Sequence, residues 1–563
     1  MLNNALDCNR DVFTKDFIDA QFKKGEHRGP ESSKLNMLAK QITLGFHRLA
    51  INGLDDGSMQ PIRLNKKILI CNGEIYNYQD LFSQINTPPK TNSDCEIILH
   101  LYSIYGIDQT LRMLDGVFSF VIYDEELQQV IVARDPYGVR PLYYWRGPNN
   151  IFIFASELKM INAFLHEPTV CDDDQHQPVQ QFLPGNYMVI QKHAFFEMWM
   201  KNYTIKYHET GTISSYTKPI AMFDNITYYL KMAVIKRCLT TERPIACLLS
   251  GGLDSSLITA LVNECYTIHC PGKQLETYSI GLADSEDLKY ARIVADHLGT
   301  RHTEVILTED DFFNAIPEVI EAIESYDTTT VRASIGNYLI GKYISRNSLA
   351  KVIFNGDGSD ELCGGYLYMN NAPDAVEFDQ ETKRLMSDIY LFDVLRSDKS
   401  ISSNGLEPRT PFLDKMFVQN YLSIPASIRF HPGNQECEKH LLRASFSQMY
   451  HPDSSKPFLP FNILWRTKEA FSDGVSGYGR SLYTILQEKI ASIPGIEEEF
   501  NNSKGTYNHL EPKTLEQYYY RTIFDKIYPS SEKIVPYFWM PKYTTDTTDP
   551  SARTLKLLYK QYI

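Results

Sequence analysis

No run of apolar residues in the chain approaches the ~20 needed for a membrane-crossing helix, which excludes the helical membrane class. No block of Lys and Arg occurs, and the formal net charge is −13, so non-specific nucleic-acid binding is disfavoured. None of the ten cysteines forms a Cys-x-x-Cys pair, so spacing gives no metal site. The opening Met1-Leu2-Asn3-Asn4-Ala5-Leu6-Asp7 has neither a basic n-region nor an apolar core. A cytoplasmic chain with reduced thiols is therefore expected, with no membrane and no nucleic-acid partner. Repeats, low-complexity tracts and a Gly-Lys-Ser/Thr phosphate loop are also missing.

What is present is 563 residues, 43% of them hydrophobic, which is globular composition and enough chain for two or three domains. The most informative stretch is Leu248-Leu249-Ser250-Gly251-Gly252-Leu253-Asp254-Ser255-Ser256. Two apolar residues end a buried strand, Ser-Gly-Gly turns the chain, and the serines open a helix. Glycines let backbone N–H groups approach an anion, and a helix N-terminus adds a favourable dipole. The loop reads as a holder of phosphate oxygens; the plainer alternative is a tight serine-rich turn with no ligand.

The first third alternates short strands with turns. Residues 116–123 and 129–134 read as one hairpin, and 143–145 with 151–155 as another, giving a mostly antiparallel sandwich. The pattern loosens from about 184 to 215. Strands at 245–249, 276–280 and 352–354 then alternate with helices, the βαβ signature of a parallel sheet with ligands at strand C-termini. The remainder reads as mainly helical, with a surface loop at 501–508. Besides residues 250–256, two further segments sit at strand ends: Thr277-Tyr278-Ser279-Ile280-Gly281 and Phe354-Asn355-Gly356-Asp357-Gly358-Ser359-Asp360-Glu361. The carboxylates of the latter suit Mg²⁺ beside phosphates, with a surface turn as the alternative.

SGGLDSS resembles the pyrophosphate loop of ATP pyrophosphatases. Over nearly its whole length the chain resembles the glutamine-hydrolysing asparagine synthetases of eukaryotic type. The resemblance is carried by Gly45-Phe46-His47-Arg48-Leu49-Ala50, Asn72-Gly73-Glu74-Ile75-Tyr76-Asn77 and Arg134-Asp135-Pro136-Tyr137-Gly138-Val139-Arg140-Pro141-Leu142. Thr330-Val331-Arg332-Ala333-Ser334, Lys468-Glu469-Ala470-Phe471-Ser472-Asp473-Gly474, Trp539-Met540-Pro541-Lys542 and Asp549-Pro550-Ser551-Ala552-Arg553 match as well. It implies an α+β amidotransferase-type domain (Ntn, antiparallel sandwich; 1–190), a linker (191–220) and an α/β ATP-pyrophosphatase domain with a parallel sheet and a helical C-terminal part (221–563). The implied reaction joins aspartate and ammonia at the expense of ATP, through β-aspartyl-AMP, to give asparagine, AMP and PPi. The implied small molecules are aspartate, ATP, Mg²⁺ and glutamine or ammonia, and a homodimer is a further implication.

The same resemblance assigns roles by position. Leu249, Ser250, Gly251, Gly252, Asp254, Ser255, Ser256, Ile280, Asn355 and Gly356 correspond to ATP contacts, and Asp254 and Asp360 to metal ligands. Thr329, Thr330 and Arg332 correspond to aspartate and AMP contacts; alone, Arg332 would read as a structural ion pair. Lys468 matches a lysine that steadies phosphate charge. Asp357 stands where the family commonly has Glu, as the acid that assists ammonia attack, and keeps the carboxylate with a shorter reach. Glutamine contacts fall on Arg48, Leu49, Ala50, Ile51, Asn52, Asn72, Gly73, Glu74 and Asp94. Among these, Arg48 would pair with the α-carboxylate and Asp94 with the α-amine, while Asn72 and Gly73 would form the oxyanion hole.

Two departures stand out. The family begins Met-Cys-Gly-Ile, its Cys attacking glutamine, whereas Leu2 follows Met1 here, and Cys8 lies in a polar run unlike a central strand. Either a first segment precedes this sequence, or the enzyme takes free ammonia; the chain as written is expected not to hydrolyse glutamine at a useful rate. The second departure is Pro408 in Glu407-Pro408-Arg409, with a local effect expected. Rival readings are another ATP-pyrophosphatase ligase, such as a β-lactam synthetase-like enzyme, and an inactive homologue that binds glutamine or nucleotide.

Overall fold

The computed structural model describes all residues except 2–12, 40, 168–176, 196–197, 212–213, 215–218, 435, 448–456, 467–473, 478–479, 545–546, 548 and 551–563. Cys8, Leu2 and Lys468 lie outside the described residues.

The first domain is a sandwich. One layer is a six-stranded sheet of β3 (Ile62–Leu64), β4 (Lys67–Ile75), β5 (Gly116–Asp124), β6 (Gln129–Arg134), β10 (Asn186–Lys192) and β11 (Trp199–Lys206). Its order is β11-β10-β6-β5-β4-β3, every pair antiparallel. The other layer holds β1 (Ser32–Ala39) paired with β2 (Ile42–Arg48), and β8 (Phe152–Ala155), β7 (Tyr143–Arg146) and β9 (Gln180–Gln181) in the order β8-β7-β9. Ile42, Leu44, Ile68, Val132, Phe152 and Ile190 interlock between the layers, while the helix Ile97–Met113 covers the outer face of the six-stranded sheet. Both hairpins read from the sequence form as expected: Tyr123 pairs with Val130, and Trp145 with Ile153.

The stretch from 191 to 220, read as a linker, contains β11, the edge strand of the larger sheet. After Trp199 every residue of this strand is exposed, so it carries no inside–outside alternation to betray it. The surface loop expected at 501–508 begins inside the helix Ile496–Ser503.

The second domain is built on β12 (Ile245–Leu248), β13 (Glu276–Gly281), β14 (Arg301–Ile306), β15 (Val352–Phe354) and β16 (Glu407–Arg409), all parallel in the order β14-β13-β12-β15-β16. Helices bury both faces, and the central strands β12 and β15 are correspondingly apolar: Ala246, Cys247, Val352, Ile353 and Phe354 are fully buried. Pro408 is tolerated because β16 is an edge strand. The flanking amides find partners, Glu407 N–H donating to Lys351 O at 2.7 Å.

A buried ionic network joins the domains. Arg140 reaches Asp398 at 2.9 Å and Glu407 at 3.1 Å, and Arg28 reaches Asp398 at 2.7 Å and Glu157 at 3.2 Å. Arg243 donates to Ala50 O at 2.7 Å and pairs with Glu31. Removing one partner of such a buried pair strands a charge, at a cost of about 3–5 kcal/mol, so the two domains are held in a fixed relation.

Candidate active site

In the parallel sheet the chain runs outward from β12 through β13 to β14, then crosses back to β15 on the other side of β12. The strand ends diverge there, and this switch point is where α/β sheets place ligands. A cavity of about 240 Å³ opens at it. Its walls include Leu249, Ser250, Gly252, Asp254, Ser255, Ile280, Asn355, Gly356, Asp357, Asp360, Thr329 and Arg332.

The loop after β12 is set by short contacts. Leu249 N–H donates to Tyr278 O at 2.8 Å, tying the loop to β13. Gly251 takes a φ of +74°, and a Cβ there would stand 2.4 Å from the Ala291 amide nitrogen, so no larger residue fits. Ser250 and Ser255 hydroxyls lie 3.0 Å apart at the N-terminus of the helix Leu253–His269. Gly251 and Ser256 are absent from the cavity wall: Gly251 packs on Tyr290, and Ser256 is buried behind the loop.

The loop after β15 approaches from the other side. A Cβ on Gly356 would stand 2.8 Å from the Asp254 backbone, so glycine lets the two loops touch. Asn355 is braced by Ser397 at 2.8 Å. Asp357 Oδ1 accepts from Arg396 at 3.3 Å, while its Oδ2 is buried with no hydrogen-bond partner among the described residues. Arg396 also binds Asp393, and Tyr366 bridges Asp393 and Glu361. Burial, with Asp393 and Asp360 nearby, raises the Glu361 carboxyl well above its usual range.

Thr330 does not reach the cavity. Its amide and hydroxyl both bind Asp327 Oδ2, at 2.9 and 2.7 Å, capping the helix Thr328–Asn347. Arg332 lines the cavity but is committed elsewhere. It makes bidentate contacts to Glu516 and Asp549, at 2.9 and 2.7 Å for Asp549, and lies 4.8 Å from the Tyr483 ring centre. Sequence reasoning missed Lys439, Arg396 and Asp393, which also line the cavity. No motif marked them: Asp393 and Arg396 share the helix Asp393–Ser402, Lys439 caps the helix His440–Ser445, and only the fold brings them together.

Asp254 and Asp360 converge on one cation. Lys439 Nζ lies 2.6 Å from Asp254 Oδ2 and 2.6 Å from Asp360 Oδ1. Two carboxylates already gathered around a positive centre, opposite a phosphate-type loop, make a donor set that fits a hard divalent cation.

A second cavity, of about 210 Å³, lies in the first domain, and Arg48, Leu49, Ala50, Ile51, Asn52, Asn72, Gly73, Glu74 and Asp94 all line it. Arg48 is fixed by the carbonyls of Gly53 and of Asp55, the latter at 2.9 Å. Asn72 binds Ser156 at 3.2 Å, and a Cβ on Gly73 would stand 2.2 Å from Val117 O. Asp94 accepts Ile75 N–H at 2.7 Å, and burial pushes its carboxyl up to about 6. Glu74, which holds Asn52, is likewise pushed up by burial and by Asp94. Ser402, Leu406 and Glu407 of the second domain complete the wall.

Fold and cavities together define a class: an amidotransferase-type sandwich joined to a parallel-sheet domain of ATP-pyrophosphatase type. Residues 5–213 match the glutamine amidotransferase domain family, and residues 226–378 and 370–548 match the asparagine synthase family. The chain is 41% identical over 548 residues to the glutamine-hydrolysing asparagine synthetase of Gallus gallus, 41% over 554 to that of Homo sapiens and 40% over 550 to that of Mus musculus. In each case 94% of both chains is covered. The chain belongs to the asparagine synthetase family.

Proposed function

We propose that the protein makes asparagine from aspartate and ATP, releasing AMP and PPi, with nitrogen drawn from glutamine bound in the first cavity where a nucleophilic cysteine is supplied there, and from free ammonia in the chain as written. The observation that carries this reading is the meeting of the 250–256 loop and the 355–360 loop on one cavity at the sheet's switch point. On this reading Ser250, Gly252 and Ser255 hold the outgoing diphosphate, and Leu249, Ile280, Asn355 and Gly356 frame the nucleoside. Asp254 and Asp360 would hold Mg²⁺, which neutralises polyphosphate charge when bound. Asp357, with one carboxylate oxygen unengaged and the other on Arg396, takes a proton from attacking ammonia. Thr329 and Arg332 border the aspartate end, and Arg332 acts there through the Glu516–Asp549 anchor. Lys468 belongs to the same reading as a phosphate contact.

In the first cavity Asn72 and the Gly73 amide face the developing oxyanion, Arg48 the α-carboxylate and Asp94 the α-amine. The first domain, which runs on through β11, and residues 221–563 act as the two catalytic units. A homodimer and a cytoplasmic location complete the proposal; among the described residues no helix is long and apolar enough to cross a membrane. Aspartate-dependent PPi release from ATP, with ammonium or glutamine as nitrogen source, is the test. PPi without asparagine, or no dependence on aspartate, overturns the reading.

A further inference from the structure

The Asp254–Asp360 pair holds an ammonium group, and the surroundings build it in. The Lys439 side chain is 1% exposed, whereas lysine is almost never buried unless paired. It adopts a φ of +57°, uncommon for a residue with a Cβ, at the start of the helix His440–Ser445. Gly365 makes room for the stem: a Cβ there would stand 2.0 Å from Lys439 Cε and 2.3 Å from Asp360 Oδ1. Ser359 donates to Asp254 Oδ1 at 2.8 Å, leaving Oδ2 to the ammonium. A strained backbone, a bare glycine and two carboxylates thus agree on one position for Nζ, and that position lies between the two acids read as metal ligands.

We propose that Lys439 is a positioning residue that keeps the divalent-cation site shut in the nucleotide-free enzyme. Its ammonium stands where the metal would, and two cations so close repel strongly. A divalent ion arriving alone must displace the ammonium from both carboxylates and leave a nearly fully buried charge unpaired. An ion arriving with a polyphosphate brings anionic oxygens that accept the ammonium as it leaves the carboxylates. Metal and nucleotide therefore bind together, and the resting enzyme does not load metal in advance. This inference rests on the reading of Asp254 and Asp360 as metal ligands.

Equilibrium dialysis of the full chain against Mn²⁺, without nucleotide, tests it. Wild type is expected to bind Mn²⁺ weakly at this site, Lys439→Met at least about tenfold more tightly, and Lys439→Met/Asp254→Asn no better than wild type. Lys439→Gln replaces the methionine variant if the latter fails to fold. Wild type and Lys439→Met binding equally at a site abolished by Asp254→Asn overturns the role of Lys439 and leaves the metal site standing. Wild type alone binding as tightly as with added pyrophosphate, at that same site, also overturns it. Binding that ignores Asp254 in every protein, with and without pyrophosphate, overturns the metal-site reading and this inference with it.

Discussion

The two cavities are built in opposite ways. The first is a local construction. Residues 48–52 leave the end of β2, residues 72–74 belong to β4, and Asp94 ties back to β4 through the Ile75 amide. The second is assembled from distance. Asp254 and Lys439 are 185 residues apart, Arg332 and Asp549 are 217 apart, and the pieces meet only because a parallel sheet gathers strand ends and helices deliver side chains over them. A locally built pocket is fixed mainly by backbone: its proposed oxyanion donors are an N–H and a short amide, and its charged groups Arg48 and Asp94 are held by backbone carbonyls and an amide. A pocket assembled from distance is fixed by charge pairing, and its carboxylates and cations need one another to be buried at all.

Substitutions that separate the pockets sharpen this contrast. The largest effect is expected for Asp254→Asn, which should lower asparagine formation about a thousandfold with either nitrogen source, since charge at the phosphates is left uncompensated. Equal retention of both activities would break the assignment of the second cavity. In a protein given the family's amino-terminal Met-Cys-Gly-Ile, Asn72→Ala should cost about a hundredfold in glutamine-supported synthesis and leave ammonium-supported synthesis unchanged. Loss of both would mean that the first cavity serves the second domain's chemistry directly. Asp357→Asn should lower ammonium-supported turnover about a hundredfold, while Asp357→Glu restores most of it. Failure of the glutamate variant would show that the shorter acid, held on Arg396, is matched to this chain's own geometry.

The contrast also explains what could be read beforehand. All nine glutamine-cavity positions reach one wall, because neighbours in sequence are neighbours in space on a strand and its following turn. In the second cavity the loop residues were legible, since glycines and carboxylates at strand ends mark themselves. Lys439, Arg396 and Asp393 were not, since a lysine or arginine on a helix looks the same in sequence whether it faces water or a buried acid. Thr330 shows the reverse error. It sits inside a matching segment, yet its hydroxyl is spent on Asp327 to cap a helix. In the fold, strands with apolar cores were visible and the edge strand β11, exposed after Trp199, was not.

The buried acids of the first cavity predict a pH signature. Asp94 has its pKa raised from the ordinary 3.8 to about 6, so the native state holds the proton more tightly than the unfolded chain does. Its contribution therefore favours folding below pH 4 and is lost as pH rises through 6, a difference of about 3 kcal/mol. Asp94→Asn should flatten the stability profile between pH 4 and 6, measured as urea midpoints. An unchanged slope would place the titration on Glu74, whose carboxyl is raised by the same burial.

The smallest effect is expected at a thiol that could blur the division of labour. Cys95 lines the first cavity, is 2% exposed and points its sulfur at Gly73 O, 3.6 Å away, beside the proposed oxyanion hole. A cysteine nucleophile acts as thiolate. Here the hydrogen bond with Cys71, burial and the Asp94 carboxylate all hold the thiol well above its usual range, so Cys95 stays protonated and serves as a donor. Serine can donate in its place. The chain as written should therefore show no useful glutamine-supported synthesis with Cys95 or with Cys95→Ser, and ammonium-supported synthesis should be unchanged by the substitution. Glutamine-supported synthesis that Cys95→Ser alone abolishes would make Cys95 the attacking group and turn the first cavity, too, into a site whose chemistry is not carried by its backbone.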